Sequence, residues 1–187
     1  MAIGVDTALN TIVDAVDRLR DTAQSHQRMF LVETMGRNSG YLALLSGIAC
    51  GAELAIIPER ETRLEDVAEA VNLAYARGKN HAFIMVAEGA GLGIRDVADY
   101  CATSTMGLEP RVTLLGHVQR GGNPSSFDRI LASRLGAAAI DALLDGDHDV
   151  MTALTGTHIE RLPLVDVTGR SRDTDLSYAD LIAILAR

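Results

Sequence analysis

The sequence predicts an α/β fold of three αβα layers, a mostly parallel sheet with helices on both faces. Three observations predict it. Helix-type and strand-type apolar periods alternate along the 187 residues. The strand segments are continuous apolar runs rather than in-out alternations, as in strands covered on both faces. Hydrophobic residues make up 48% of the chain and aromatics only 4%, a balance that suits Ala/Leu/Val packing of helices on a sheet. At this length the chain forms one ordinary domain or one and a half.

The elements follow in order. Asp6 is placed to cap a helix in which Ala8, Leu9, Ile12, Val13, Val16 and Leu19 recur at three- and four-residue spacing. "RMFLVETM" reads as a buried strand, "GRNSG" as a turn, and "YLALLSGIACG" as a helix closed by Gly51. "ELAIIPE" is a second strand. Thr62 and Glu65 form a capping box for a helix carrying Leu64, Val67, Val71 and Ala74, which stops at Gly78. "HAFIMVAE" is a third strand, followed by a helix over Ile94–Ala102, and "RVTLLGH" is a fourth. Asn123-Pro124 opens a helix to Leu144 with the proline at its first position. Beyond it lie short strand-like runs, "MTALTG" and "RLPLVDV", and a helix from Ser177.

Composition excludes several classes. With 25 acidic and 17 basic residues the net charge is −8, which argues against nucleic acid or an anionic membrane as the main partner. Every basic residue except Lys79 is arginine. That choice suits bidentate phosphate recognition, although genomic base composition produces the same bias. Cys50 and Cys101 have neither metal nor redox spacing and read as reduced core residues of a cytoplasmic protein. No signal-peptide pattern and no apolar run of membrane-spanning length is present.

Ligands of such sheets bind beyond the carboxyl ends of the strands. Three places qualify: Met35-Gly36-Arg37 after the first strand, Glu88 after the third, and "GHVQRGG" after the fourth. Gly36 lets backbone N–H groups approach an anion at a helix start, and Arg37 adds charge. Glu88 can accept from sugar hydroxyls. His117 and Arg120 beside Gly121-Gly122 suit a phosphate. Taken singly, each also reads as an ordinary turn, strand terminus or core histidine. Arg28 and Arg111 open their strands, at the opposite end, and serve a neighbouring subunit better than this pocket. "EGAGLG" imitates a dinucleotide fingerprint, but its glycines are spaced G-x-G-x-G after the third strand, so a nicotinamide-binding reading rests on that run alone.

"VETMGRNSGYLAL", "GAELAIIPE" and "LGHVQRGGNPSSFDRILASRLG" resemble the carboxyl-terminal half of the 6-phosphofructokinase family, and "IGVDTALNTIVDAVDRLRDTAQSHQR" resembles that family's interdomain helix. The resemblance covers Ile3 to about Leu144. It implies glycolytic phosphoryl transfer from ATP to the 1-hydroxyl of fructose 6-phosphate, in a cytoplasmic, allosteric homo-oligomer, a dimer or homotetramer. Met35, Gly36, Glu88, His117 and Arg120 would hold the sugar phosphate within one subunit. Arg28 and Arg111 would reach across a dimer interface, and Arg37 would stabilise charge on the transferring group as the catalytic residue. Arg20, Gly51, Glu53, Arg77, Lys79 and His81 match positions that bind a nucleotide or phosphoenolpyruvate effector, with Glu53 a contact to effector magnesium. Arg77 stands where many members have lysine.

The same resemblance implies a fructose 6-phosphate-binding domain over 1–118, completed by 169–187, and a segment 119–168 returning to a nucleotide-binding domain. The family's G-G-D-G and T-I-D-N-D motifs, which supply the ATP and magnesium site and the general base, are not in these residues. The expectation is therefore an inactive acceptor-binding half, with no catalytic metal site of its own and with the donor, ATP or pyrophosphate, bound elsewhere. Phe127, Ile130, Leu131, Leu135 and Ile140 of the long helix would be left exposed or repacked. The alternative is a stand-alone sugar-phosphate or effector-binding module without catalysis.

Overall fold

A computed structural model of the chain describes residues 2–23, 28–103, 110–169 and 174–186. The elements are α1 (Val5–Ala23), β1 (Arg28–Thr34), α2 (Tyr41–Cys50), β2 (Leu54–Ile56), α3 (Leu64–Ala76), β3 (His81–Ala87), α4 (Ile94–Thr103) and β4 (Arg111–Leu114). A 3-10 turn (Gly116–Arg120) leads to α5 (Ser126–Leu144), β5 (Val150–Thr155), β6 (His158–Pro163), α6 (Leu164–Val167) and α7 (Ser177–Leu185). They fall into two compact units, Ala8–Gly122 with Thr174–Arg187, and Met1–Thr7 with Asn123–Asp173.

The larger unit holds the expected parallel sheet, in the order β2-β3-β1-β4. Alternate residues explain why its strands read as unbroken apolar runs. Phe30, Val32, Phe83 and Met85 face one side and bury Ile12 and Val16 of α1, Ala43 and Leu44 of α2, and Ile182 of α7. Met29, Leu31, Ile84 and Val86 face the other and bury Val67 and Val71 of α3 and Ile94, Val97 and Cys101 of α4. Both faces are therefore covered, which gives the three layers. Phe30 and Phe83 stack at a centroid separation of 5.1 Å. Cys50 and Cys101 are both buried, and neither is in a disulfide.

The strand order creates a switch point. From β1 the chain crosses by α2 to β2, on the far side of β3. From β3 it crosses by α4, on the opposite face, to β4 beyond β1. The connections leave β1 and β3 in opposite directions, so a crevice opens between their carboxyl ends.

The smaller unit pairs α5 with the antiparallel hairpin β5–β6, in register from Val150↔Pro163 to Thr155↔His158. Leu131 of α5 is buried and Leu135 half-buried, while Phe127, Ile130 and Ile140 are exposed.

Several local expectations are corrected. α1 begins at Val5, so Asp6 lies inside its first turn. The first amides are met instead by Asp128, which accepts from Gly4 N at 2.9 Å and Thr7 N at 2.8 Å. At α3 the chain stays extended through Arg63, so the helix enters one residue late. Asp66, not Glu65, then stands at the third helical position and accepts from Arg63 N at 2.8 Å. Pro124 precedes α5 rather than opening it, because the Ser125 hydroxyl caps the helix by accepting from Asp128 N at 3.2 Å. β4 stops at Leu114, because Gly116 (φ +49°) turns the chain into the 3-10 segment. "RLPLVDV" divides at Pro163 into the end of β6 and the short α6.

Candidate functional site

β1, β3 and β4 end level with one another, Thr34 beside Ala87 and Glu33 beside Leu114. The ladder runs one step further on each side of β1: Glu88 N donates to Thr34 O at 2.9 Å and Leu115 N to Glu33 O at 3.2 Å. Met35–Arg37, Glu88 and the Gly116–Arg120 turn therefore leave the sheet along one edge. In a 3-10 turn residues three apart eclipse one another, which sets His117 and Arg120 on one side.

Glu88 closes the crevice. Its Oε1 accepts from the amides of Gly36 (3.1 Å) and Arg37 (2.8 Å). The turn beneath is tight: Ser39 N donates to Gly36 O at 2.8 Å, and a Cβ on Gly36 would lie 2.2 Å from Ser39 O. Arg37 adopts φ +49°, an uncommon conformation for a residue with a side chain. The two amide bonds hold the Glu88 carboxyl below the usual carboxylate range, and the charges of Arg120 and Arg37 act in the same direction. Burial pushes the nearby Glu33 carboxyl up, helped by Glu88 and opposed by Arg95. Arg37, His117 and Arg120 are exposed, and among the described residues neither guanidinium is held in an ion pair. The backbone amides expected to face an anion are thus already engaged, and cationic side chains remain for it.

Arg28 and Arg111 lie at the amino ends of their strands, opposite His81 and Phe30. At roughly 3.3 Å per residue, Arg28 stands about 20 Å along β1 from the carboxyl edge. They are not brought to Glu88 within this chain.

The six other candidates gather around the amino end of β3. Glu53 is buried; its Oε1 accepts from Lys79 Nζ at 2.8 Å and its Oε2 from Phe83 N at 2.5 Å. Gly51 caps α2 in the left-handed conformation. Arg20 donates to the carbonyl of Cys50 and lies 5.7 Å from the Phe83 ring centroid. Burial lowers the His81 pKa, with Glu53 opposing and Arg20 and Lys79 reinforcing. Arg77 donates to Ala186 O at 2.7 Å and lines, with Glu53, a recess of about 210 Å³.

Glu59 was not among the expected site residues. It accepts from Gly40 N at 2.9 Å with both carboxylate oxygens, and from the Thr174 hydroxyl at 2.5 Å. An acid just after a strand and a proline was the available signal. Among the described residues no group of three or more His, Cys, Asp or Glu is arranged to hold a metal ion.

Comparison with known proteins bears on this arrangement. The family model described as Phosphofructokinase matches residues 1–143. An ATP-dependent 6-phosphofructokinase of Brevibacillus brevis is 45% identical over 186 residues, 98% of this chain and 57% of the relative. One from Thermotoga neapolitana is also 45% identical, over 100% of this chain and 58% of the relative. The phosphofructokinase structure from Saccharomyces cerevisiae superimposes with a TM-score of 0.83 at 38% identity, covering 89% of this chain and 23% of that one. The chain thus spans somewhat over half the length of these bacterial relatives.

Proposed function

The chain belongs to the phosphofructokinase family, and from that premise we propose that it forms the acceptor-binding part of an ATP-dependent, glycolytic 6-phosphofructokinase of the cytoplasm. The observation that carries the reading is the bridge that Glu88 makes between the carboxyl ends of β1 and β3. There Glu88 locks the Gly36–Arg37 amides, and Arg37, His117 and Arg120 offer cationic or hydrogen-bonding side chains beside it.

In this reading His117 and Arg120 grip the 6-phosphate of fructose 6-phosphate by charge-assisted hydrogen bonds. Glu88, kept ionised, accepts from a sugar hydroxyl. Met35 and Gly36 shape the floor, and Arg37 stabilises the negative charge that grows on the transferring phosphoryl group. The 1-hydroxyl oxygen bonds to phosphorus as the bond to the leaving oxygen of the donor breaks. Its proton goes to a general base outside these 187 residues. In this reading the donor ATP and its magnesium are held by the G-G-D-G and T-I-D-N-D motifs, which lie outside these 187 residues. These residues alone are therefore expected to bind the acceptor without turning it over.

Arg28 and Arg111, at the far edge of the sheet, serve the site of a second subunit, which makes the assembly a dimer or tetramer. The cluster of Arg20, Gly51, Glu53, Arg77, Lys79 and His81 takes a nucleotide or phosphoenolpyruvate effector. Contact of Glu53 with an effector-borne magnesium would require Lys79 to release it.

Calorimetric titration of fructose 6-phosphate into the protein tests the reading. Arg120→Ala removes a charge-assisted pair worth roughly 1.5–3 kcal/mol, so affinity should fall about 10- to 150-fold. Unchanged affinity would refute the phosphate assignment.

A further inference from the structure

The Gly36–Gly40 turn is held at two ends. Glu88 fixes its first half from the crevice side. Its second half meets Glu59, whose two oxygens each lie 2.9 Å from Gly40 N. The fit is close: a Cβ on Gly40 would lie 2.4 Å from Ile57 Cβ and 2.8 Å from Glu59 Oε2. Glu59 is itself fixed by the Thr174 hydroxyl at 2.5 Å, and Thr174 Oγ1 lies 3.3 Å from Ser39 Oγ, in the same turn. Ser39 Oγ in turn accepts from Tyr41 N at 3.3 Å, at the start of α2. Glu59, Thr174, Ser39 and Gly40 thus form one connected network behind the turn, and Glu59 is its only charged member.

We propose that Glu59 is a positioning residue for the acceptor site, setting the Gly36–Arg37 amides and the Arg37 side chain through the turn, with Thr174 bracing Glu59. The proposal rests on the reading of that turn as part of the acceptor site. The physical argument is that Arg37 sits at φ +49°, a conformation that persists only where its surroundings over-determine it. Glu88 supplies one constraint. The Ser39–Gly40 end supplies the other, and a charged acceptor at a helix start holds N–H groups more firmly than a neutral one. Among the described residues the hydrogen bonds of Glu59 go to Gly40 and Thr174, so it acts through the backbone.

The test compares wild type, Glu59→Gln and Thr174→Val by amide hydrogen exchange, thermal unfolding and titration with fructose 6-phosphate. Thr174→Val leaves the carboxylate in place and guards against a folding failure of the first variant. Positioning predicts about tenfold faster exchange at Gly36 and Arg37 as well as at Gly40, with protection of β1 and β3 retained. It also predicts about tenfold weaker binding of fructose 6-phosphate. Faster exchange at Gly40 alone, or a uniform loss of protection across the sheet, would overturn the proposal. If Arg120→Ala weakens binding and Glu59→Gln does not, positioning fails while the acceptor-site reading stands. If neither does, the acceptor-site reading has failed, and the proposal falls with it.

Discussion

Replacing Asp128 by alanine should destabilise the protein by an amount that its contacts define. Asp128 is 2% exposed and accepts from Gly4 N at 2.9 Å, Thr7 N at 2.8 Å and Thr7 Oγ1 at 2.5 Å. Removing the carboxylate leaves three donors of the first turn of α1 without their acceptor. A buried donor left unsatisfied costs about 1–3 kcal/mol. Gly4 is exposed and can turn to water, so the total should be about 2–4 kcal/mol rather than the full sum. For a chain of this length that corresponds to roughly 5–15 °C in the unfolding midpoint. Asp128→Asn keeps one acceptor but turns an amide donor toward other donors, so it should recover less than half of the loss.

The pH dependence gives a second, independent check. Burial pushes the Asp128 carboxyl up, and the bonds from Thr7 and Gly4 outweigh it, leaving it below the usual range. A carboxyl depressed in the folded state contributes stability that is present above the unfolded value of about 3.9 and lost as pH falls through the folded value. Urea unfolding of wild type and Asp128→Ala should therefore differ fully at pH 7 and converge in acid. A difference under about 0.5 kcal/mol at pH 7 would refute the reasoning. So would a gap that does not narrow below pH 3.9.

Two further outcomes follow from the core. Glu53→Ala leaves the buried Phe83 amide without its acceptor, while the partly exposed Lys79 ammonium can turn to water, and should cost about 1–3 kcal/mol in denaturant unfolding; Lys79→Met leaves the buried Glu53 carboxylate without its cation and should also destabilise. Burial pushes the Cys50 thiol up to about 11, so thiol reagents at pH 8 should label it only as fast as the protein opens, and labelling within seconds in native buffer would contradict the packing.

The layers and strands were legible because continuous apolar runs force strands to be covered on both faces, whereas the strand order that makes the switch point was not. Val67, Val71 and Ala74, at helical spacing, did bury against the sheet. What escaped was contact between residues distant in sequence. Asp6 looked like the cap of α1 because it is adjacent, yet the acid that meets those amides lies 121 residues from Thr7. Glu59 looked like the end of a strand, and only the folded chain brings it to Gly40. Thr62 and Glu65 matched a capping pattern, but one extra extended residue moved the box by one position. Local pattern specifies elements well; their ends are decided by which distant side chain arrives to satisfy them.

The same fact bears on how an anion would be bound. Backbone amides at turns and helix starts are the usual phosphate cradle. In this chain acids of the protein occupy several of them: Glu88 on Gly36 and Arg37, Glu59 on Gly40, and Asp128 on Gly4 and Thr7. A phosphate approaching the crevice meets negative carboxylates where it would otherwise meet N–H groups. Recognition then has to come from side chains that project past them, and long guanidinium groups do so with two donors in a fixed fork. The prevalence of arginine over lysine in an acidic protein therefore has a local role in the acceptor-site reading, whatever its genomic origin. Arg120→Lys tests this: it preserves charge but not the fork, and should recover only part of the affinity lost in Arg120→Ala. Full recovery would mean that charge alone suffices.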